Sequence, residues 1–172
     1  FASESETFEF TGVAEPPVPS LMRDFSAPVR LKFDYEDTDL AKLMRLDSNG
    51  FNRWDASQKL AQRVIERAQH DPDGEIGLDR LVAAFREILG DPTIDPALVA
   101  VMLQLPSVEA LADVHEELDL DALFAARRRV RESLARALAS EFAKTYEAHR
   151  SDAPYEPSAE QIARRLLKNT AL

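Results

Sequence analysis

The spacing of hydrophobic and polar positions changes along this 172-residue chain from a period of two to a period of about 3.6. Two stretches near the N-terminus alternate, at residues 7–13 and 29–35, and alternation places successive side chains on opposite faces of a β-strand. The proline-rich segment 16–19 lies between them, and proline cannot continue a ladder or a helix. The pattern therefore predicts two strands. They would belong to a sheet whose other strands precede residue 1, because two strands alone are marginally stable.

From residue 37 onward, the apolar residues recur at helical spacing. Start and stop signals agree with this pattern. Asp95 before Pro96 is a capping acid with proline at the first helical position, and Gly90 and Pro92 end the preceding helix. The pattern predicts about seven helices: one from 37, then about 51–69, about 78–89, 95–106, a short one from 107, about 120–149, and a last one from about 157.

The predicted fold class is mainly α: a stacked antiparallel helical array with a short N-terminal β segment of two strands. Leu40, Leu43 and Met44 are expected to form the buried stripe of the first helix. Trp54 is expected to anchor the first helical layer. The apolar face of the last helix is expected to pack on helices outside this chain. This face consists of Ile162, Leu166 and Leu167.

Composition and charge exclude several function classes. The chain carries 31 Asp and Glu against 21 Lys and Arg, and its net charge of −10 argues against a general role at nucleic acids or membrane surfaces. The lack of cysteine excludes disulfides and thiolate metal sites, and it fits a reducing compartment. No apolar run approaches the ~20 residues that span a bilayer, and the acidic N-terminus is unlike a signal peptide.

Both ends of the chain lead us to expect an excised piece of a longer protein. The chain starts at Phe1 instead of methionine, and it stops at Leu172 within an apolar helical pattern, without a glycine, asparagine or proline stop signal. Truncation of this kind exposes apolar surface, so self-association of the piece is also expected.

One segment approaches the zinc-hydrolase pattern, in which two histidines one helical turn apart hold the metal and a glutamate acts as general base. This segment is 115–119, His-Glu-Glu-Leu-Asp, where Asp119 stands in place of the second histidine. The other histidines, His70 and His149, are far away in sequence. A surface loop ahead of the long helix explains the segment better than a metal site does.

A second segment, residues 71–76, imitates a calcium loop. With Gly74 as the sharp-turn glycine, the first ligand position is Gln69 and the closing bidentate position is Arg80, so both ends of the coordination are lost. An Asp-Pro-Asp-Gly turn between two helices explains the same residues. A degenerate calcium module is the minor alternative, and a melting shift with calcium would reveal it.

The basic cluster consists of Arg127, Arg128, Arg129 and Arg131. On a helix these side chains spread around the axis, so a solvated face with ion pairs to Glu132 and to neighbouring acids is the favoured interpretation. Contact with anionic groups of a partner domain is the alternative. The sequence contains no glycine-rich phosphate loop and no serine or cysteine nucleophile motif. We therefore assign no catalytic, cofactor-binding or metal-binding residue to this chain.

Six short sequence segments are distinctive: residues 17–21 (PVPSL), 25–31 (FSAPVRL), 51–56 (FNRWDA), 94–98 (IDPAL), 105–107 (LPS) and 163–169 (ARRLLKN). Together, and in this order over nearly the whole chain, they resemble the bacterial alanyl aminopeptidases, the aminopeptidase N type of zinc metallopeptidase. None of the segments is a catalytic motif, so their number and order carry the resemblance.

The resemblance implies a four-part enzyme: an N-terminal β domain, a thermolysin-like zinc domain, a small β-sandwich and a large C-terminal helical domain. Residues 1–35 would be the terminal strands and proline-rich connector of the β-sandwich, and residues 36–172 the N-terminal part of the helical domain. The zinc site would lie upstream, so zinc is expected in the parent enzyme and no cofactor in this chain. The helical domain of this family covers the catalytic domain and encloses the active-site cavity.

The expected function is therefore that of a non-catalytic fragment of a cytoplasmic zinc aminopeptidase, which removes N-terminal amino acids from peptides. The isolated fragment is expected to be inactive. Its expected partners are the upstream zinc-peptidase domain of the same polypeptide and, for the whole enzyme, peptide substrates, with no nucleic acid and no membrane. The alternative is a stand-alone helical protein-interaction scaffold.

Overall fold

A computed structural model describes residues 5–29, 31–71, 74–112 and 119–172. Within these ranges the chain is mainly helical, as predicted, with a short 3-10 turn at Arg23–Phe25. The described helices are α1 (Asp37–Leu46), α2 (Gly50–His70), α3 (Leu78–Gly90), α4 (Pro96–Met102), α5 (Val108–Ala112), α6 (Leu120–Ala137), α7 (Ala139–Ala148) and α8 (Ala159–Thr170).

The two predicted strands do not form in the described part of the N-terminal region, so this prediction is wrong. Phe8 and Phe10 are 68% and 82% exposed, and Val29 and Phe33 are exposed as well. A strand needs a neighbouring strand to satisfy its backbone N–H and C=O groups, and two short segments seldom supply a stable pair by themselves. The alternating pattern records which side chains would share a face, but it does not provide the sheet.

Side-chain caps explain where several helices begin. Asn49 accepts a hydrogen bond from the Asn52 backbone N–H at the start of α2. Asp95 caps α4, and its Oδ1 lies 2.8 Å from the Ala97 nitrogen. Ser158 caps α8 in the same way. Each cap satisfies backbone donors that have no partner inside the helix, so these starts follow from local sequence.

The predicted longest helix, about 120–149, is interrupted in the structure. Leu138 has φ −117° and ψ 17°, and it separates α6 from α7. Its side chain is fully buried in the core. Arg86 of α3 bridges the break, because it donates to the Ala137 carbonyl at 3.1 Å and to Oε1 of Glu141 at 2.6 Å. A contact between distant elements therefore accompanies this break, and no proline or glycine signals it.

The core lies between packed helices. The α2 helix packs against α1 and α6, α3 packs against α1 and α7, and α4 packs against α8. The predicted stripe of Leu40, Leu43 and Met44 is buried, as expected. The largest fully buried side chains come from five further helices and from the α6–α7 break. They include Leu60, Ile65, Leu81, Phe85, Ile88, Met102, Leu111, Leu123 and Leu138.

Two predicted packing roles are wrong. Trp54 is 37% exposed and does not anchor the first layer, because it lies on the outer side of α2 against Phe51. Leu167 was predicted to pack on helices outside this chain. It is instead 4% exposed and packs within the chain, where α8 contacts α4. Ile162, on the same helix, is 50% exposed. The face of α8 is thus divided between the core and solvent.

Candidate functional site

The two metal-like segments fall partly outside the described residues. Of the zinc-like segment 115–119, only Asp119 is described, and it caps α6 through the Ala122 backbone N–H at 3.0 Å. Of the calcium-like segment, Asp71 follows the end of α2 and its carbonyl accepts from Gly74, while residues 72 and 73 lie outside the described part. Within the described ranges, no group of three or more His, Asp or Glu side chains could hold a metal ion.

The arginine cluster spreads around α6, as the sequence indicated. Arg128 pairs with Glu132 at 2.8 Å, which confirms that ion pair. Arg127 instead donates to the Pro106 carbonyl at 2.7 Å and so ties the α4–α5 loop to α6. Nη1 of Arg129 is buried without a hydrogen-bond partner in the described part of the chain. These side chains point to different surroundings and do not form one anion-binding surface.

A groove of about 1090 Å³ lies between α6, α7, the end of α8 and the α4–α5 loop. Its apolar lining includes Phe85, Leu134, Phe142 and Tyr146, and Arg131 contributes a charge. Ser107 and Glu147 also line the groove, so it combines an apolar surface with a few polar groups and can hold another apolar segment.

Polar side chains at the start of the helical region hold the 3-10 turn in place. We name this set the connector clamp: Arg23 and Asp24 of the turn with Asp47, Ser48 and Asn49 of the α1–α2 loop. Arg23 lies 3.0 Å from Oδ1 of Asp47 and 2.8 Å from Oγ of Ser48. The Asn49 side chain donates to Oδ1 of Asp24 at 2.5 Å. Several hydrogen bonds between segments about 25 residues apart give the turn a defined position.

The connector is also held by α2 and by Tyr35, which lies just before α1. Nδ2 of buried Asn52 donates to Oγ of Ser20 and to the Leu21 carbonyl, both at 2.8 Å. The hydroxyl of Tyr35 donates to the Pro19 carbonyl at 2.8 Å. Burial raises the pKa of Tyr35 above its ordinary value, so the hydroxyl keeps the proton that it donates.

A buried carboxylate joins the end of the connector to α2. Oδ1 of Asp37 lies 3.1 Å from Nη1 of Arg63, and Oδ2 lies 2.7 Å from Nη1 of Arg67. Nη1 of Arg63 also donates to the Tyr35 carbonyl at 2.6 Å. Burial raises the pKa of Asp37, but hydrogen bonds from Arg67 and Arg63 outweigh burial and leave the pKa below its ordinary value.

The sequence reasoning missed the connector clamp. Arg23, Asn49 and Asn52 have partners far away in sequence, so helical or strand periodicity does not reveal their roles. Asn49 alone carries a local signal, because asparagine before an apolar helix is a strong N-cap residue. The structure thus brings together polar groups that hold the 3-10 turn against the start of α2.

Two family models match the chain. A model described as "Domain of unknown function (DUF3458_C) ARM repeats" matches residues 37–172, and one described as "Domain of unknown function (DUF3458) Ig-like fold" matches residues 1–34. The first model covers most of the chain.

Curated relatives are similar over nearly the whole chain. Aminopeptidase N of Escherichia coli (strain K12) is 40% identical over 170 residues, which are 97% of this chain and 19% of that protein. Aminopeptidase N of Caulobacter vibrioides is 37% identical over 164 residues, covering 95% of this chain and 19% of the relative. The chain therefore spans about a fifth of the length of the curated relatives it matches.

A solved structure has the same fold. The crystal structure of Legionella pneumophila aminopeptidase A in complex with aspartic acid matches with a TM-score of 0.83 and 28% identity. The match covers 95% of this chain and 20% of that chain. This match, too, involves about a fifth of a longer polypeptide.

Proposed function

We infer the role of this chain from the premise that it belongs to the DUF3458_C family of ARM-repeat domains. We propose that it is a non-catalytic part of a zinc aminopeptidase that removes N-terminal amino acids from peptides. The observation that carries the proposal is the similarity to aminopeptidase N, which extends over 97% of this chain but only 19% of the relative. In the whole enzyme, zinc would polarise the scissile carbonyl and activate water, held by residues outside this chain.

We propose a division into residues 1–35, the end of a β-sandwich with its connector, and residues 36–172, the start of a helical domain. The two family matches, at 1–34 and 37–172, support this division. An Ig-like sandwich needs about seven strands, many more than 35 residues supply. Its remaining strands would then cover Phe8, Phe10 and Phe33, which are exposed here.

The proposed task of the helical part is to enclose the active-site cavity of the zinc-peptidase domain, its partner in the same polypeptide. A cover of this kind excludes folded proteins, admits short peptides and removes water from the site, which strengthens its electrostatic interactions. The groove supports a role as part of a cavity wall, because its lining is concave and mostly apolar. The cysteine-free composition supports a cytoplasmic location for the enzyme.

Hydrolysis of an alanyl chromogenic substrate tests the proposal. We expect the longer polypeptide that contains this chain to be active, to lose activity to a chelator and to regain it with zinc. The isolated chain, helical by circular dichroism, should show no hydrolysis above the uncatalysed rate. Zinc-dependent hydrolysis by the isolated chain at a rate comparable to that of the parent would overturn the proposal.

We also propose that the isolated chain self-associates. Ile162 is 50% exposed and Leu172 is 91% exposed, and both lie at the end of the array where further helices of the parent would follow. Exposed apolar surface of this kind favours contact with a second copy when its normal cover is missing.

Within the described ranges no helix is long and apolar enough to cross a membrane.

A further inference from the structure

Three aromatic side chains form a contiguous, partly exposed row at the start of the helical region. We name Phe25, Phe51 and Trp54 the aromatic patch. The ring centroids of Phe25 and Phe51 are 5.6 Å apart, and those of Phe51 and Trp54 are 5.7 Å apart. Phe25 is 56% exposed and Trp54 is 37% exposed, while Phe51 is half-buried between them. Contiguous exposed aromatic surface is typical of sites that contact another protein surface.

The base of the aromatic patch is rigid. The connector clamp attaches the turn that carries Phe25 to the loop before α2, and α2 carries the other two rings. Asn52, between Phe51 and Trp54, holds Ser20 and Leu21 from below by two hydrogen bonds of 2.8 Å. The rings are therefore presented in a fixed arrangement, which lowers the entropic cost of docking.

The backbone is strained where it presents Phe25. Met22, Asp24 and Phe25 have φ values of 54°, 56° and 52°, in the left-handed region that residues other than glycine seldom adopt. The Asn49 side chain supports this conformation, because its Oδ1 accepts from the Asp24 backbone N–H at 3.4 Å. Strain of this kind persists where surrounding contacts enforce it, and here it places Phe25 on Phe51 in solvent instead of in the core.

We propose that the aromatic patch is the docking surface for the zinc-peptidase domain of the same polypeptide, an inference that rests on the proposed function. The curated relatives are about five times as long as this chain, so most of such a polypeptide lies outside it. The remaining sandwich strands would pair with the backbone of residues 7–13 and 29–35. Further ARM repeats would stack on the α7–α8 end, because each repeat contacts its neighbours. The aromatic patch lies on a helix and a turn, so it offers no strand edge with which a sandwich strand could pair. Its preformed row of side chains fits the surface of a folded domain instead.

Hydroxyl-radical footprinting with mass spectrometry tests whether the aromatic patch is covered. The isolated chain and the longer polypeptide are oxidised with the same dose, set by a free phenylalanine dosimeter. We expect the oxidation rates of Phe25 and Trp54 to fall about threefold or more in the longer polypeptide, because residues at an interface core become fully buried. Equal rates in both proteins overturn the docking surface. A protection that instead grows with the concentration of the isolated chain assigns the patch to a second copy and also overturns it.

A photo-crosslinker at position 54 of the longer polypeptide identifies the occupant. We expect crosslinks to peptides of the segment that contains the zinc ligands. Crosslinks confined to sandwich strands or to later helices overturn the assignment. The activity of the same sample separates the two hypotheses: an active enzyme with an unprotected patch overturns only the docking surface. An inactive polypeptide, with zinc supplied, overturns the proposed function and with it the identity of the occupant.

Substitutions separate docking from folding. Trp54→Ala and Phe25→Ala should shift the melting temperature of the isolated chain by only about 2 °C, as surface substitutions do. In the longer polypeptide they should lower the temperature at which activity is lost by clearly more than this. Phe124→Ala, at an α6 position that is 56% exposed, is the matched control and should have little effect in either protein. Equal shifts for Trp54→Ala in both proteins show a purely local role and overturn the proposal.

Discussion

Asp37 and Arg67 form an ion pair at the joint between the connector and the helical array, with 2.7 Å between Oδ2 and Nη1. The carboxylate belongs to the first turn of α1, where the helix dipole also favours negative charge. Asp37 is only 7% exposed, whereas both arginine partners reach solvent. The pair therefore joins α1 to α2 through a desolvated carboxylate, whose charge is stabilised by the two arginines.

Asp37→Asn should destabilise the chain by about 1–3 kcal/mol, because the arginines would lose the charge that they solvate while part of the pair still reaches water. Asp55→Asn is the matched control. Asp55 pairs with Lys59 at 2.7 Å on the surface of α2, and such exposed pairs contribute about 0.5 kcal/mol or less. Urea unfolding followed by circular dichroism measures both. Equal losses in the two variants would contradict the special role of Asp37.

Gly77→Ala should destabilise the chain by about 1–2 kcal/mol, the cost of a left-handed conformation for a residue with a Cβ. Gly77 has φ +72°, and an added Cβ would lie 2.8 Å from Nη1 of Arg67, the group that holds Asp37. Gly90→Ala is the control, since no atom lies within 4 Å of its added Cβ and it ends α3. That variant should be neutral or slightly stabilising. Thermal melts of the two variants decide, and an equally stable Gly77→Ala chain would refute the argument.

Stability should fall at acidic pH through two carboxylates. A hydrogen bond from Arg86 is the largest cause that lowers the pKa of Glu141, from 4.5 to about 2, and the pKa of Asp37 is also below its ordinary 3.8. The unfolded chain therefore binds more protons as pH falls. The contribution of the two carboxylates to the free energy of unfolding is therefore complete above about pH 4.5 and is lost as pH falls toward 2. Urea midpoints between pH 7 and pH 2.5 measure the decline, and Glu141→Gln should flatten it. Arg86→Gln should flatten it similarly, whereas an unchanged slope in both variants would contradict the prediction.

Local sequence determines much of the helical array. The apolar spacing of Leu40, Leu43 and Met44 and the capping residue Asp95 predict their helices because they act within one or two turns. These features need no knowledge of the partner helix, and the structure confirms them.

Features that depend on distant partners could not be predicted. The break at Leu138 involves a buried side chain and the bridge from Arg86, about 50 residues away. Most described residues of the predicted strands are exposed, although Tyr35 is buried, and the described part of the chain supplies no sheet partner for them. The size of Trp54 predicts a core residue, but its ring contacts Phe51 and is 37% exposed. The connector clamp, too, joins residues whose pairing only the folded chain reveals.

Asn52→Ala should release the connector. The substitution removes two hydrogen bonds, to Ser20 and Leu21, in a buried position, and we expect a loss of about 1–2 kcal/mol. Trypsin should then cleave faster after Arg23, because local opening of the turn would need less free energy. Asn169→Ala, at an exposed position of α8, is the control. An unchanged cleavage rate at Arg23 in the Asn52 variant would show that other contacts hold the connector.

The isolated chain should associate through the exposed end of its array, and Ile162→Glu should reduce this association. Ile162 is 50% exposed on α8, so the charge should be tolerated by the fold while it opposes burial against a second copy. Asn169→Glu adds the same charge on α8 without removing apolar surface. Light scattering over a range of concentrations should show a rising apparent mass for the unsubstituted isolated chain and for Asn169→Glu, but a smaller rise for Ile162→Glu. An unsubstituted isolated chain that stays monomeric at high concentration would refute the self-association. A loss of association as large in Asn169→Glu would assign the effect to net charge instead of the apolar face.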